Sequence, residues 1–388
     1  MSGRNIVVVG AGPVGTVAAL ACARLGHNVT LLEAAAQVDD SPRASTTQPP
    51  TLEILAELGL IDDYIAQGLV ARTFQFWDRS RLALIAEFDF ERLRGETAYP
   101  FVVQTEQHKL ALMGIARLRA MGNATVRMAT KVTGVAQDAD GVRVQMEQGE
   151  LRADYVIGCD GGRSSVRKSL DIEFEGFTWP ERFLVITTKF DFAAALGCCF
   201  RNYMADPDEW TNLFKVAGDD LAGRWRAVYN TRQDESDEEA LSDSAVRARL
   251  GRIYVPQAQR DYLHLNLYNV HQRVAKRFRS GRVFLCGDAA HVNNPIGGLG
   301  LNSGIHEAWH LAKLLSGGDL DEYERVRRPL NIEYVQEQTI ANKRRLEERD
   351  PATRAKRFEE LARMADDPVK HKAFLRRASL LESVRRLQ

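Results

Sequence analysis

The chain has 388 residues, of which 45% are hydrophobic and 27% charged, with 52 Lys and Arg against 52 Asp and Glu. Such a length suits two interlocked domains of ~100–200 residues each, and the ordinary composition excludes a disordered or fibrous chain. The balanced charge gives neither nucleic acid nor an anionic membrane a reason to bind, which leaves a small molecule as the expected partner.

The five cysteines, Cys22, Cys159, Cys198, Cys199 and Cys286, form no C-x-x-C, and no His pairs have zinc-finger spacing, which speaks against a disulfide framework or a metal. The first apolar run, residues 6–9, is cut short by Gly10, and no stretch approaches the ~20 residues of a membrane span. A cytoplasmic protein is expected.

Residues 6–9, 13–25 and 28–32 read as strand, helix and strand, a βαβ unit. A loop rich in Ser, Thr, Pro and Gln follows over residues 39–50, with Arg43 in it, and helical periodicity resumes at 51–58. Residues 73–90 turn strand-like, 107–120 helical, and 126–147 form a small meander around Asp138-Ala139-Asp140-Gly141, before an apolar strand at 155–158. A second sheet is expected from strands at 183–190, 212–216, 224–229 and 262–270. In the last, Leu263, Leu265 and Leu267 alternate with Tyr262, His264, Asn266 and Tyr268, as in a sheet that covers a pocket or is merely half exposed. Residues 282–286 read as a buried strand, 301–315 as a helix, and everything after about 331 as helical. The final segment carries Arg344, Arg345, Arg376, Arg377, Arg385 and Arg386 among acidic residues, which reads as a solvated face.

Three motifs carry chemistry. Gly10-Ala11-Gly12-Pro13-Val14-Gly15 lies between strand and helix, where the first glycine permits a tight turn, the second admits a pyrophosphate, and the third lets helix and strand pack closely. Glu33 closes the second strand, where its carboxylate binds an adenosine ribose and repels a 2′-phosphate, so FAD or NAD is favoured over NADP. The second motif runs from Gly158 to Arg167 and sets Asp160 before two glycines at a strand end, open to a ligand lying along the sheet edge.

The third is Gly287-Asp288-Ala289-Ala290-His291 followed by Pro295-Ile296-Gly297-Gly298-Leu299-Gly300-Leu301-Asn302. Asp288 is placed to accept hydrogen bonds from a polyol such as a ribityl chain. The helix start after the glycines suits the flavin N1–C2=O edge, which gains negative charge on reduction. His291 reads as a residue that orders its turn.

Together these elements resemble the single-component flavin aromatic hydroxylases, typified by p-hydroxybenzoate hydroxylase and 3-(3-hydroxyphenyl)propionate hydroxylase. The D-G-x-x-S-x-V-R element is matched by Asp160, Gly161, Ser164, Val166 and Arg167, and G-D-A-A-H by Gly287 to His291. The resemblance covers roughly residues 5–320. It implies an α/β fold: a Rossmann-like FAD-binding domain (1–72, 101–172 and 273–335), an interlocked mixed-sheet substrate domain (73–100 and 173–272), and a C-terminal helical segment (336–388).

The resemblance also implies FAD contacts at Gly10, Gly12, Pro13, Val14, Gly15, Glu33, Arg43, Gln104, Asp160, Asp288, Pro295, Gly298, Gly300, Leu301 and Asn302. NADH or NADPH is then a transient co-substrate, and O2 adds to the reduced flavin to form a C4a-hydroperoxide whose distal oxygen goes to a phenolic or heteroaromatic ring. No catalytic acid or base is expected, because the cofactor carries the chemistry. Pocket candidates are Pro295, Tyr203, Tyr229, His264 and Arg201, the last as a partner for a substrate carboxylate.

Glu307 stands where the family often has Asp, and Cys159 and Cys286 where alanine is common, as small packing residues. The end of the chain soon after the core implies no added thioredoxin-like domain. Monomer and homodimer remain open. So do rival functions: a flavin halogenase, although W-x-W-x-I-P is missing around Trp225; a membrane-bound hydroxylase, weakened by the lack of an anchor; a plain NAD dehydrogenase; and a non-oxygenase FAD protein acting as a cyclase accessory or ligand sensor.

Overall fold

The structure, a computed structural model, describes residues 3–41 and 45–386; Arg43 lies outside the described residues. Asn5–Val9 sits at the centre of the first sheet because Ile6 to Val9 are apolar on both faces, the pattern of a strand covered by helices on each side. It pairs in parallel with Asn28–Leu32 and Tyr155–Gly158, which are flanked by Ala124–Arg127 and Val283–Leu285, and Arg279–Ser280 closes one edge antiparallel. The alanine-rich helix Pro13–Arg24 packs between Gly300–Leu315 and Gln107–Arg119. Val132–Asp138, Gly141–Met146 and Gly149–Ala153 form an antiparallel meander, shifted from the one expected over residues 126–147: Ala124–Arg127 pairs in the first sheet instead, and Gly149–Ala153 supplies the third strand.

The second sheet has eight strands in the order His291–Val292, His264–Ala275, Phe174–Thr188, Arg224–Asn230, Thr211–Val216, Arg201–Ala205, Thr73–Asp78 and Ala83–Asp89. Neighbours are antiparallel except Arg201–Ala205 and Thr73–Asp78, which makes the sheet mixed. Alternate side chains separate two cores. Phe74, Phe76, Phe183, Val185, Tyr203 and Val228 face the first sheet's loops, whereas Trp77, Leu184, Ile186, Trp225 and Tyr229 pack on the outer side.

Several boundaries differ from the sequence reading. The strand expected at 183–190 starts nine residues earlier, at Phe174, and its register shifts between Thr178 and Arg182, where Pro180 cannot donate to the ladder. Arg201–Ala205, Leu69–Ala71 and Val102–Gln104 are strands that no local pattern announced, and Asp237–Leu241 and Asp243–Gly251 are helices capped by Ser236 and Ser242.

The C-terminal helices Pro351–Asp366 and Pro368–Ala378 start where Asp350 and Asp367 accept backbone N–H groups and a proline takes the first turn. They fold back onto the substrate-side sheet, where Phe374 lies 4.5 Å from Phe88. The solvated basic face expected there is only partly so: Arg385 is bound to Glu53, and Arg345 is half-buried against Phe76. Among the described residues no helix is long and apolar enough to cross a membrane.

Candidate active site

In the glycine-rich turn, Gly10 adopts φ +98°, and a Cβ there would stand 2.5 Å from the Cys159 carbonyl oxygen. A Cβ on Gly15 would meet the Gly10 carbonyl at 1.8 Å, whereas one on Gly12 would meet nothing within 4 Å. Turn and helix–strand packing thus require the outer glycines, and open space lies before the middle one, at the start of the helix that begins with Pro13 and Val14. Glu33 accepts the Ala11 and Ala35 N–H groups at 2.7 and 2.9 Å, which holds its carboxylate beside the turn.

Asp160 accepts the N–H groups of Ser165 and Val166 through one oxygen, while the other is buried without a partner. Burial pushes its carboxyl up, outweighing the hydrogen bonds that pull it down. Arg167, at the end of the same motif, donates to the carbonyls of Gly162 and Ala289, both at 2.8 Å, and so ties the second motif to the third.

In the third motif, fully buried Glu307 accepts the Gly287 N–H, the Ser303 hydroxyl and a hydrogen bond from His291 Nε2 at 2.8 Å. Burial pushes the Glu307 carboxyl up, but His291, Arg327 and the Gly287 N–H outweigh it and hold it below the usual range. His291 is therefore enclosed in the loop's own bracing, and Asp288 is left exposed on a cavity wall. The side chain of Asn302 is fully engaged, accepting from Gln48 N–H and the Thr51 hydroxyl and donating to the Thr46 and Gly298 carbonyls. The backbone N–H groups of Gly300, Leu301 and Asn302 open the helix Gly300–Leu315 in its first turn. Gln104 is fully buried behind Thr46, accepting its hydroxyl at 2.5 Å.

A cavity of about 690 Å3 joins Asp288, Pro295 and Gly298 to the inner face of the large sheet. Its polar lining includes Asn212, Arg226, His264, Asn266, Tyr268 and His271, and its apolar lining includes Phe183, Phe214 and Val228. Of these, His264 was a sequence candidate and the alternation over residues 262–268 put Asn266 and Tyr268 on its face; Asn212 and Arg226 required the neighbouring strands to be aligned.

The remaining pocket candidates fall elsewhere. Tyr229 is fully buried on the outer side of the sheet and donates to the Arg249 carbonyl, because its neighbour Val228 takes the inward position. Arg201 and Tyr203 are inward-facing but line a separate small annex beside Ile296 and Gly297.

Comparison with known proteins agrees with this arrangement. Residues 4–338 match the family model described as FAD binding domain. The chain is 36% identical over 369 residues to a para-nitrophenol 4-monooxygenase of Pseudomonas sp. (strain WBC-3), covering 90% of this chain and 89% of that one. It is 34% identical over 366 residues to a 6-hydroxy-3-succinoylpyridine 3-monooxygenase of Pseudomonas putida, covering 90% of each. The crystal structure of a p-nitrophenol 4-monooxygenase from Pseudomonas putida DLL-E4 superposes with a TM-score of 0.90 over 99% of both chains at 33% identity. With the glycine turn, the two braced carboxylates and the cavity between the sheets, these likenesses show that the chain belongs to the FAD-binding family of flavin-dependent aromatic monooxygenases.

Proposed function

We propose that the protein hydroxylates a single aromatic ring bearing a hydroxyl opposite a polar, oxygen-bearing substituent, with NADH or NADPH and O2 as co-substrates. The two relatives above are named for such substrates, one a nitrophenol and the other a hydroxypyridine with an acyl group across the ring. The observation that carries the reading is the 690 Å3 cavity, which runs from the Asp288–Pro295 loop to a sheet face bearing Arg226, His264 and Tyr268. An engineered cavity of ~150 Å3 already admits benzene, so a substituted ring fits with room for a neighbouring cofactor ring.

FAD, when bound, accepts hydride from the nicotinamide and activates O2. The residues present fit it: a turn open at Gly12, a buried Asp160 oxygen without a partner, and a free helix start at Gly300. In this reading the Gly10–Gly15 turn would hold the pyrophosphate, Glu33 the adenosine ribose and Asp288 the ribityl chain, and the N–H groups of Gly300 to Asn302 would be donors for the flavin ring. Gln104 and the Asn302 side chain act from behind, by fixing Thr46 and Gly298. The FAD-binding unit would comprise residues 1–72, 101–172 and 273–335, and the substrate unit 73–100 and 173–272.

The chain's own work is then to orient the ring, favour its phenolate and keep water away from the reacting oxygen. The Arg226 guanidinium, buried in the cavity wall with the Glu106 carboxylate 4.0 Å behind it, and the hydroxyl of Tyr268 and amide of Asn212 would supply hydrogen bonds. The test is NAD(P)H and O2 consumption by the FAD-loaded protein across phenol, 4-nitrophenol, 4-hydroxybenzoate and hydroxypyridine acids, with products and H2O2 recorded. Stimulated consumption with an oxygenated product is expected. Consumption that no ring compound alters, by protein whose FAD is reducible, would sink the substrate reading.

A further inference from the structure

Residues 292–298 form the loop that presents Pro295 to the main cavity, and Gly297 and Gly298 give it φ +112° and +67°. A stretch with two such glycines does not hold one shape unaided. Side-chain carboxamides hold it from outside: Gln336 donates to the Val292 carbonyl at 3.3 Å, Asn342 to Ile296 and Gln48 to Gly297, both at 3.2 Å, and Asn302 to Gly298.

Gln272 grips the middle of the loop. Its Oε1 accepts the backbone N–H and the side-chain Nδ2 of Asn294, at 3.1 and 3.2 Å, and Asn294 Oδ1 in turn accepts the Ile296 N–H. Its Nε2 donates the other way, to Gln336 Oε1 at 2.7 Å and to the Thr339 hydroxyl at 3.1 Å. One buried amide is thus engaged at both ends, on the loop and on the C-terminal helical segment. Only a side chain that both accepts and donates can stand there.

The helical segment is shaped to meet it. The helix Asp321–Asn331 widens into a π-helical turn at Ile332–Gln336 and continues as Glu337–Leu346. Residues five apart stand about 140° from each other around an α-helix, but share a face in a π turn, whose bonds span five residues. The turn sets Gln336 beside Asn331, to whose Oδ1 it donates at 3.4 Å, while Gln336 also reaches Val292 and Gln272. Such turns are frequent at functional sites. Gln272, Asn294, Asn331, Gln336 and Thr339 are all neutral, so charge that develops beside the loop pulls little on its brace.

The cavity lining includes Val292, Asn293, Pro295 and Ile296 but neither glutamine, so any effect of the glutamines on a bound ring passes through the loop. We propose that Gln272 and Gln336 are positioning residues for the reaction: through Asn294 and the Val292 carbonyl they fix the Pro295 wall against which ring and cofactor are placed. The inference rests on the substrate reading above only for the ring compound that tests it.

The test compares wild type with Gln272→Met and Gln336→Met, which keep the length of the side chain and remove its polar end. Val144→Ala, at a buried position of the remote meander, controls for loss of stability alone. Amide hydrogen exchange is followed in peptides covering residues 291–298 and 300–315. FAD affinity, 4-nitrophenol affinity from flavin difference spectra, and H2O2 released per NAD(P)H are measured at a temperature where melts show each protein folded.

Loss of a buried hydrogen bond is worth roughly tenfold in local opening, so exchange over residues 291–298 should quicken by about that factor in both glutamine variants, with 300–315 unchanged. FAD and 4-nitrophenol should each bind severalfold more weakly, and H2O2 per NAD(P)H should rise severalfold. Val144→Ala should alter none of these. A quickened loop with both affinities and H2O2 release at wild-type values would overturn the proposal, as would exchange over 291–298 that neither glutamine variant changes. If Gln272→Met fails to fold, Gln336→Met, which leaves the Asn294 bonds in place, decides alone. Should no ring compound bind, the substrate reading fails, and exchange together with FAD affinity still decides the positioning role.

Discussion

At Gly12 and Gly15 the same substitution has opposite consequences. A methyl on Gly15 collides with the Gly10 carbonyl, which is backbone and cannot yield, so Gly15→Ala is expected to destabilise the protein by roughly 3 kcal/mol. Gly12 has φ −65° and open space before it, so Gly12→Ala should leave the apoprotein within ~0.5 kcal/mol of wild type. It should nonetheless weaken FAD binding at least tenfold, because the methyl occupies the pyrophosphate's approach. Urea melts of the two apoproteins and FAD titration of each check both statements; a stable Gly12→Ala apoprotein with undiminished FAD affinity would refute the placement of the phosphates.

At the scale of elements, Glu307 joins the helix Gly300–Leu315 to the turn that presents Asp288, through Gly287 N–H and His291. Glu307→Gln is expected to cost roughly 3–5 kcal/mol at neutral pH, since it breaks a buried charged network while leaving its partners in place. The carboxyl is held below its ordinary 4.5 in the fold. Its contribution is therefore complete above about that pH and is lost as pH falls through the folded value. The gap between wild type and variant should narrow on acidification, and a gap independent of pH would show that Glu307 acts by shape alone. FAD affinity should fall with it, because the Asp288 turn loses its brace.

Across the whole molecule, the C-terminal helices close the aromatic cluster from the side opposite the sheet, with Phe374 packed on Phe74, Phe76 and Phe88. Phe374→Ala is expected to lower stability by about 2–3 kcal/mol and to widen the annex. Water admitted next to the Ile296–Gly297 loop should raise H2O2 release per NAD(P)H several-fold relative to product, since water exclusion protects the reacting oxygen. Coupled turnover equal to wild type, in a variant shown by melting to be loosened, would place the seal elsewhere.

The sequence by itself determined the local geometry of the segments proposed to hold the nucleotide. The Gly10–Gly15 turn, Glu33, the Asp160–Arg167 segment and the Gly287–His291 segment are each local, contiguous and bound to one strand–turn–helix geometry, so their chemistry is written in a few adjacent residues. Period-two alternation in one strand also put His264, Asn266 and Tyr268 on a common face, without deciding whether that face covers a pocket. The tertiary structure alone decided which face of each remaining strand looks inward. Tyr229 and Val228 are adjacent, and only sheet pairing sends the tyrosine to the outer core and the valine to the cavity. Arg201 carries no local sign of burial; five aromatic rings drawn from three distant stretches of chain enclose it. A side chain's surroundings depend on register and on long-range packing, which a period of two or 3.6 residues does not encode.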